Sequence, residues 1–345
     1  MKVLITHYSP INPYCILLGN AYIQNGHEVL YGVYNFYDSN IVPDILHIQW
    51  PESLYKWQVN LKLPEEENRL VNRLEWYKSQ GTKIVHTIHN IEPHELENDY
   101  ESKLYELIID YSDVLIHHGA NSIDLINNKY PKARHKKSIV AHHGHYLNDY
   151  KYISKIEARQ ALNIPIDKLI ILNFGLQRGY KNQNFLRSVF DELKIDNKIL
   201  LNAGFKHLAK VSLVRQFLSN IKTKLIKPKE NNIINHYKHI PQVEVPIYFN
   251  AADVVFLGHG KGLNSGVLAM SATYSKPVVF PDIGNFKEQV DGWIGESFEV
   301  NNVNSALKAL NKITKQVQSN SDFDNTDWLK NNSWDNHVKT ILSNL

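Results

Sequence analysis

Two open α/β units in tandem, each a parallel sheet covered by helices, are the fold class that the sequence predicts. Across the first 150 residues, short β-branched or aliphatic runs alternate with longer amphipathic ones, the pattern of strands joined by covering helices. The same rhythm restarts at Leu169-Ile170-Ile171-Leu172-Asn173-Phe174-Gly175, after the polar stretch Tyr150 to Asp167. The length, 345 residues with 43% hydrophobic and 21% charged, suits two water-soluble domains at roughly 150 residues each. Residues 1–150 are therefore expected to form one unit and 151–327 a second, with 328–345 a closing helix that packs back on the first.

Strands of the first unit are expected at Lys2 to His7, Glu28 to Tyr34, Ile45 to Gln49, Lys83 to Thr87, Val114 to His117 and Ser138 to Ala141. The clearest helix is Pro64 to Gln80. There Leu63, Leu70, Leu74 and Tyr77 recur at helical spacing, glutamates occupy the first turn, and Gly81 stands where a helix-ending glycine belongs. In the second unit the Leu169 strand precedes a helix with Phe185, Val189 and Leu193 on one face. Later strands are expected at Lys198 to Ala203, Asn232 to Ile234, Val254 to Gly258 and Pro277 to Phe280. Trp334, Val338, Ile341 and Leu342 give the last segment its helical spacing.

No apolar run approaches the ~20 residues that cross a bilayer, and no leader-like stretch follows Met1-Lys2, so a cytoplasmic protein is expected. The one cysteine, Cys15, permits no internal disulfide. A net charge of +3 is too small over this length to imply a nucleic-acid partner. Basic residues gather at Lys129, Lys132, Arg134, Lys136 and Lys137, and again at Lys222, Lys224, Lys227 and Lys229. A solvated face is preferred for each over contact with an anionic membrane.

Open α/β sheets bind ligands outside the carboxyl ends of their strands, so two such units predict a cleft between them. Two loops suit an anion there. Gly175-Leu176-Gln177-Arg178-Gly179-Tyr180-Lys181 sets two cations three positions apart beside a helix start. Gly258 to Gly266 opens an apolar helix, where the backbone N–H groups of Ser265 and Gly266 would face a negative charge. For each loop a purely structural turn or cap competes with the anion site, and the two together favour a ligand with a diphosphate. In the first unit, His86-Thr87-Ile88-His89-Asn90-Ile91-Glu92-Pro93-His94-Glu95 leaves a strand end, which points to His89 for proton transfer or a sugar hydrogen bond. The cluster His142-His143-Gly144-His145 invites zinc, but adjacent histidines on extended chain face opposite ways, so no metal is expected.

Taken in order, several segments resemble GT-B glycosyltransferases, particularly those close to family 4, over nearly the whole chain. They are Asn12-Pro13-Tyr14, His47-Ile48-Gln49-Trp50-Pro51-Glu52, the His86 to Glu95 run, His142-His143-Gly144-His145-Tyr146, Phe174 to Asn182, Ala251-Ala252-Asp253 and Leu263-Asn264-Ser265-Gly266. One departure is plain: many family 4 enzymes carry two glutamates eight positions apart, and the matching positions here are Gly262 and Met270.

The resemblance implies two Rossmann-like domains facing a central cleft and a metal-independent hexosyltransferase without cofactor. A nucleoside-diphosphate sugar would lie against Gly175, Arg178, Lys181, Asn264, Ser265 and Gly266. A saccharide acceptor, polyprenyl-linked in the family context of surface polysaccharide assembly, would enter near Asn12, Tyr14 and Glu92. His89 would orient the donor sugar or accept the acceptor proton. Retention of anomeric configuration is preferred over inversion. The lipid-linked acceptor would bring the protein to the inner face of the cell membrane, and Lys129 to Lys137 is compatible with peripheral contact there. The alternatives are a sugar-nucleotide epimerase of the same fold and a non-catalytic nucleotide-sugar-binding subunit.

Overall fold

Strands buried on both faces need continuous apolar sequence, and Leu169 to Phe174, buried at every position, shows it most clearly. The computed structural model describes residues 1–9, 12–56, 63–93, 100–147, 153–205, 232–320 and 322–345. His94, Glu95 and the basic group Lys222 to Lys229 lie outside the described residues. The first sheet comprises β1 (Lys2–Ile5), β2 (Glu28–Tyr31), β3 (Ile45–Ile48), β4 (Lys83–Thr87), β5 (Val114–His117) and β6 (Lys137–Val140). The second comprises β7 (Leu169–Phe174), β8 (Lys198–Ala203), β9 (Ile233–His236), β10 (Val254–Phe256), β11 (Val278–Pro281) and β12 (Gly295–Phe298).

All neighbouring strands run parallel, in the orders β2-β1-β3-β4-β5-β6 and β12-β11-β10-β7-β8-β9. Apolar clusters cover both faces of each sheet, so both units are Rossmann-like. The helix Leu63–Ser79 buries Leu70, Leu74 and Tyr77 as its spacing requires, and Gly81 ends it at φ 81° with its N–H on the Lys78 carbonyl. The second strand is shorter than its sequence suggests. Gly32, at φ 97°, turns the chain into a short helix, Val33–Asp38.

Entry to the second unit is pinned by charge. The fully buried Arg159 donates from Nη2 to Asp253 Oδ2 (2.7 Å) and from Nε to the Ala251 carbonyl (3.0 Å). The same carboxylate oxygen accepts the Ile170 N–H at the start of β7 (2.7 Å). Asp253 therefore ties helix Lys155–Ala161 to the sheet.

The closing segment is two helices, Thr326–Asn331 and Trp334–Leu342, because the Ser333 hydroxyl accepts the Asn336 N–H (3.1 Å) and starts the second. Trp334, Val338 and Ile341 are buried against Val3, Ile5, Tyr14, Cys15 and Leu18 of the first unit. Asn25 adds a bond to Asp335 (2.9 Å). The Trp334 indole lies flat enough on residue 144 that a Cβ there would be 2.3 Å from the ring, and its Nε1 donates to the His145 carbonyl (2.7 Å).

Beneath the carboxyl ends of the first sheet lies a layer of buried histidines. Nδ1 donates to a backbone carbonyl in His86 (Ile48, 3.2 Å), His118 (Ala141, 3.0 Å), His143 (Gly144, 2.7 Å) and His337 (His142, 2.8 Å). His47 bonds Thr87 (2.8 Å) and His117 bonds Ser122 (2.8 Å). Burial lowers His86, His117, His143 and His337 to about 4 and His47 and His118 well below their ordinary value. These rings are neutral throughout the physiological range.

Two outcomes are expected. Trp334→Ala removes a buried indole and its hydrogen bond and should destabilise the protein by about 3–5 kcal/mol, read from urea unfolding. The histidines gain protons near pH 6.5 when unfolded but only near pH 4 when folded, so the unfolded chain binds more protons between those values. Stability should hold above pH 7 and fall progressively from pH 6.5 to 4, by up to about 1.4 kcal/mol per pH unit per ring. A urea midpoint unchanged from pH 7 to 4.5 contradicts this account.

Candidate active site in the interdomain cleft

Strand order reverses between β1 and β3 in the first sheet and between β7 and β10 in the second, and chain leaving those four ends lines a cleft of about 670 Å³. Its second-domain wall is cationic. After β7, Gly175 (φ 98°) turns the chain toward a single 3-10 turn, Gly179–Lys181. Asn182, left-handed at φ 45°, then accepts the Phe185 N–H (3.3 Å) and starts helix Gln183–Glu192. This reversal folds Lys181 back onto the strand it left. Its Nζ donates to the Phe174 carbonyl (2.9 Å), and the side chain is 6% exposed.

Burial, and secondarily the charge of Arg178, lower Lys181 to about 8. Arg178 and Lys181 both line the cleft. Space explains the glycines: a Cβ on Gly175 would sit 2.8 Å from the Lys181 ammonium, and one on Gly204, after β8, 2.2 Å from the Gly175 carbonyl oxygen. Gly204 had no signal in the sequence beyond its place after a strand.

The second loop is built differently from its sequence expectation. Ser265 donates its backbone N–H to Gln289 Oε1 (2.9 Å), so that group is already committed. Asn264 points across the domain boundary, donating from Nδ2 to the carbonyls of Ile88 (3.1 Å) and His89 (3.0 Å) and accepting from Asn285 (2.9 Å). Asn264 and Ser265 still line the cleft, and beside them stands the first turn of helix Gly266–Thr273, with Gly266 and Val267. Gly266 must lack a side chain, since a Cβ would lie 2.9 Å from the Tyr146 hydroxyl. That hydroxyl donates to His143 Nε2 (3.4 Å), which gives the histidine cluster a role in packing. Among the described residues no group of three or more His, Cys, Asp and Glu could hold a metal ion.

On the first-domain side, Asn12 Oδ1 accepts the Tyr14 N–H (3.1 Å) at the start of helix Tyr14–Gln24. Tyr14 lines the cleft but is 2% exposed. Its hydroxyl bonds His118 Nε2 (3.2 Å), and its ring meets Trp50, His89, His143 and Trp334 edge-on. It is a packing centre that sets its neighbours. His89 is half-buried and stacks on Trp50 (4.1 Å, 12° between planes), a partnership the sequence did not signal. Its Nε2 meets Gln49 Oε1 at 2.8 Å; an amide oxygen only accepts, so Nε2 carries the proton. Burial first, then His118 and His143, keep His89 well below its ordinary value, and it presents a neutral imidazole.

Glu92 does not join this group. It pairs with Lys129 (3.1 Å) outside the cleft lining, because the chain has already left the strand end by residue 92. The described lining contains no carboxylate, and both Gly262 and Met270 belong to it.

No family model matches the chain. The GDP-mannose:glycolipid 4-beta-D-mannosyltransferase of Xanthomonas campestris pv. campestris is 24% identical over 238 residues, 69% of this chain and 61% of that protein. The match thus spans less than two thirds of the relative. Among solved structures, HepE of Anabaena in complex with UDP and glucose superposes with a TM-score of 0.70 at 15% identity, covering 100% of both chains. Sucrose-phosphate synthase from Thermosynechococcus elongatus gives 0.65 at 14% identity over 99% of this chain and 94% of that one. At these identities the likeness establishes the architecture: two Rossmann-like domains about a cleft, the GT-B fold.

Proposed function

We propose that this chain is a glycosyltransferase that moves a hexosyl group from a nucleoside-diphosphate sugar to a saccharide acceptor. The observation that carries the reading is the Lys181 ammonium, buried on the cleft wall beside Arg178 with, among the described residues, the Phe174 carbonyl as its bonding partner. A cation whose pKa is depressed by burial and by a second cation gains most from an anion brought beside it. Lys181, Arg178 and the start of helix Gly266–Thr273 neutralise the charge that develops on the departing diphosphate, the work a divalent metal does elsewhere. The reaction is therefore metal-independent.

Retention of configuration is the preferred course. With no carboxylate in the described lining, the oxygen of the departing diphosphate takes the acceptor hydroxyl proton on the face it leaves, and His89 orients the donor sugar. The Xanthomonas relative, named for a β-mannosyl product from GDP-mannose, favours inversion as a second reading; His89, neutral and half-exposed, then accepts that proton. The same name, which gives that enzyme a glycolipid acceptor, supports a lipid-linked acceptor for this chain; surface polysaccharide assembly at the inner membrane face is what the family resemblance adds. The basic group Lys129 to Lys137 adds little to membrane contact, since Lys129 pairs with Glu92 and Lys132 with Asp110.

Titration calorimetry with UDP, GDP and ADP tests the reading. Wild type should bind at least one of them, and Arg178→Ala and Lys181→Ala should each weaken it by about tenfold to a hundredfold, the loss of a charge-assisted contact. Undiminished binding in both variants rules out this diphosphate site. The pH dependence has a definite sign. Below pH 8 Lys181 is already protonated; above it, binding must draw a proton back onto the amine, so affinity should fall as pH rises past about 8. Lys181→Arg should abolish that fall. Activity retained in EDTA, and the anomeric configuration of the product by NMR, decide the metal question and the stereochemical course.

A further inference from the structure

Leu263 and Asn264 follow β10 of the second domain but are built into the first. Leu263, 2% exposed, packs among Ile88, Tyr105, Ile109 and Tyr130. Asn264 spans from Asn285 on one side to the carbonyls of Ile88 and His89 on the other. The Asn285 N–H holds the Leu263 carbonyl (2.8 Å), and a Cβ on Gly119 would lie 2.8 Å from the Asn285 side chain, so the domains touch closely here. A second contact lies alongside. The Glu288 carboxylate accepts the N–H groups of Ala120 (2.5 Å) and Asn121 (2.9 Å) at the start of the first-domain helix Asn121–Lys129, and Asn121 Nδ2 returns a bond to the Gly284 carbonyl (2.6 Å). A carboxylate at a helix N-terminus combines charge-assisted bonds with a favourable dipole.

These contacts join the two parts of the site rather than remote surfaces. Asn264 stands two residues before Gly266, whose helix start faces the diphosphate wall, and one of its acceptors is the carbonyl of His89 itself. We infer that Asn264 and Glu288 are positioning residues: together they clasp the domains so that the His89 imidazole and the Arg178–Lys181 wall are held in register for transfer. The inference rests on the glycosyltransferase reading. The clasp is polar and its Glu288 half lies outside the cleft lining, so the donor diphosphate can be bound whether or not that half is fastened, whereas transfer requires it closed.

The test uses Asn264→Ala and Glu288→Gln. Interdomain distance is measured between spin labels at Ser79→Cys and Lys308→Cys, both exposed positions; the native Cys15 is buried with its thiol pushed up to about 12 and takes no label. Each clasp variant should shift the distances to longer and broader values. Transfer kcat should fall by about tenfold to a hundredfold, the usual consequence of misplacing reacting groups by an ångström. The share of donor lost to hydrolysis should rise, while in Glu288→Gln, whose residue stands outside the cleft lining, the affinity for whichever of UDP, GDP or ADP wild type binds should stay within about threefold, less than the loss of one charge-assisted bond. Thermal unfolding of each variant separates opening from misfolding. Unchanged label distances overturn the proposal, and so does nucleotide affinity that falls in parallel with kcat in Glu288→Gln, which would make the clasp part of donor binding. If wild type binds none of these nucleotides, the functional reading fails on its own, and the label distances still decide whether the clasp exists.

Discussion

An ammonium group taken out of water at the carboxyl end of β7 is the constraint on which the cleft depends. Lys181 reaches that place because the chain reverses through Gly175 and left-handed Asn182, because Gly175 brings no Cβ against its ammonium, and because Gly204 brings none against the Gly175 backbone. Among the described residues the Phe174 carbonyl takes the place of a hydration shell there. The unfavourable burial is therefore built in at folding, and under the proposed function a phosphate oxygen arriving later meets a donor that needs no rearrangement.

The rest of the lining is consistent with that arrangement. Arg178 and Lys181 are the charged side chains of the described lining, and no carboxylate competes with a ligand for them. The many histidines nearby do not add to the positive charge, since burial and bonds to carbonyl oxygens hold them neutral. A neutral floor beneath a localised cationic wall directs an anion to one place. The first-domain side of the cleft is aromatic and weakly polar, with His89 stacked on Trp50 and ordered by Gln49.

Much of the fold was legible because parallel strands and amphipathic helices leave strong periodic marks: β7 is an unbroken apolar run, and Leu70, Leu74 and Tyr77 mark one helix face. The break at Ser333 is not marked by periodicity, which is carried by Trp334, Val338, Ile341 and Leu342 beyond it, and the cap bond of Ser333 reveals the stop. In the site, Arg178 and Lys181 could be found from their place after a strand. The committed N–H of Ser265 and the outward reach of Asn264 could not, because Gln289 and the Ile88 and His89 carbonyls are distant in sequence. Glu92 misled for a related reason: a carboxylate five residues beyond a strand end is free to turn away, and Lys129 holds it there.

The helix Trp334–Leu342 completes the apolar cover of β1 and of helix Tyr14–Gln24, elements that precede it by some three hundred residues. A ribosome therefore delivers the first domain long before the piece that seals it. During synthesis the surface of Val3, Ile5 and Leu18 waits for its partner while the second domain, whose strands are contiguous from β7 to β12, can finish its own sheet. The part made first is the part completed last, and a chaperone acting on the nascent chain would find its substrate at the amino-terminal half.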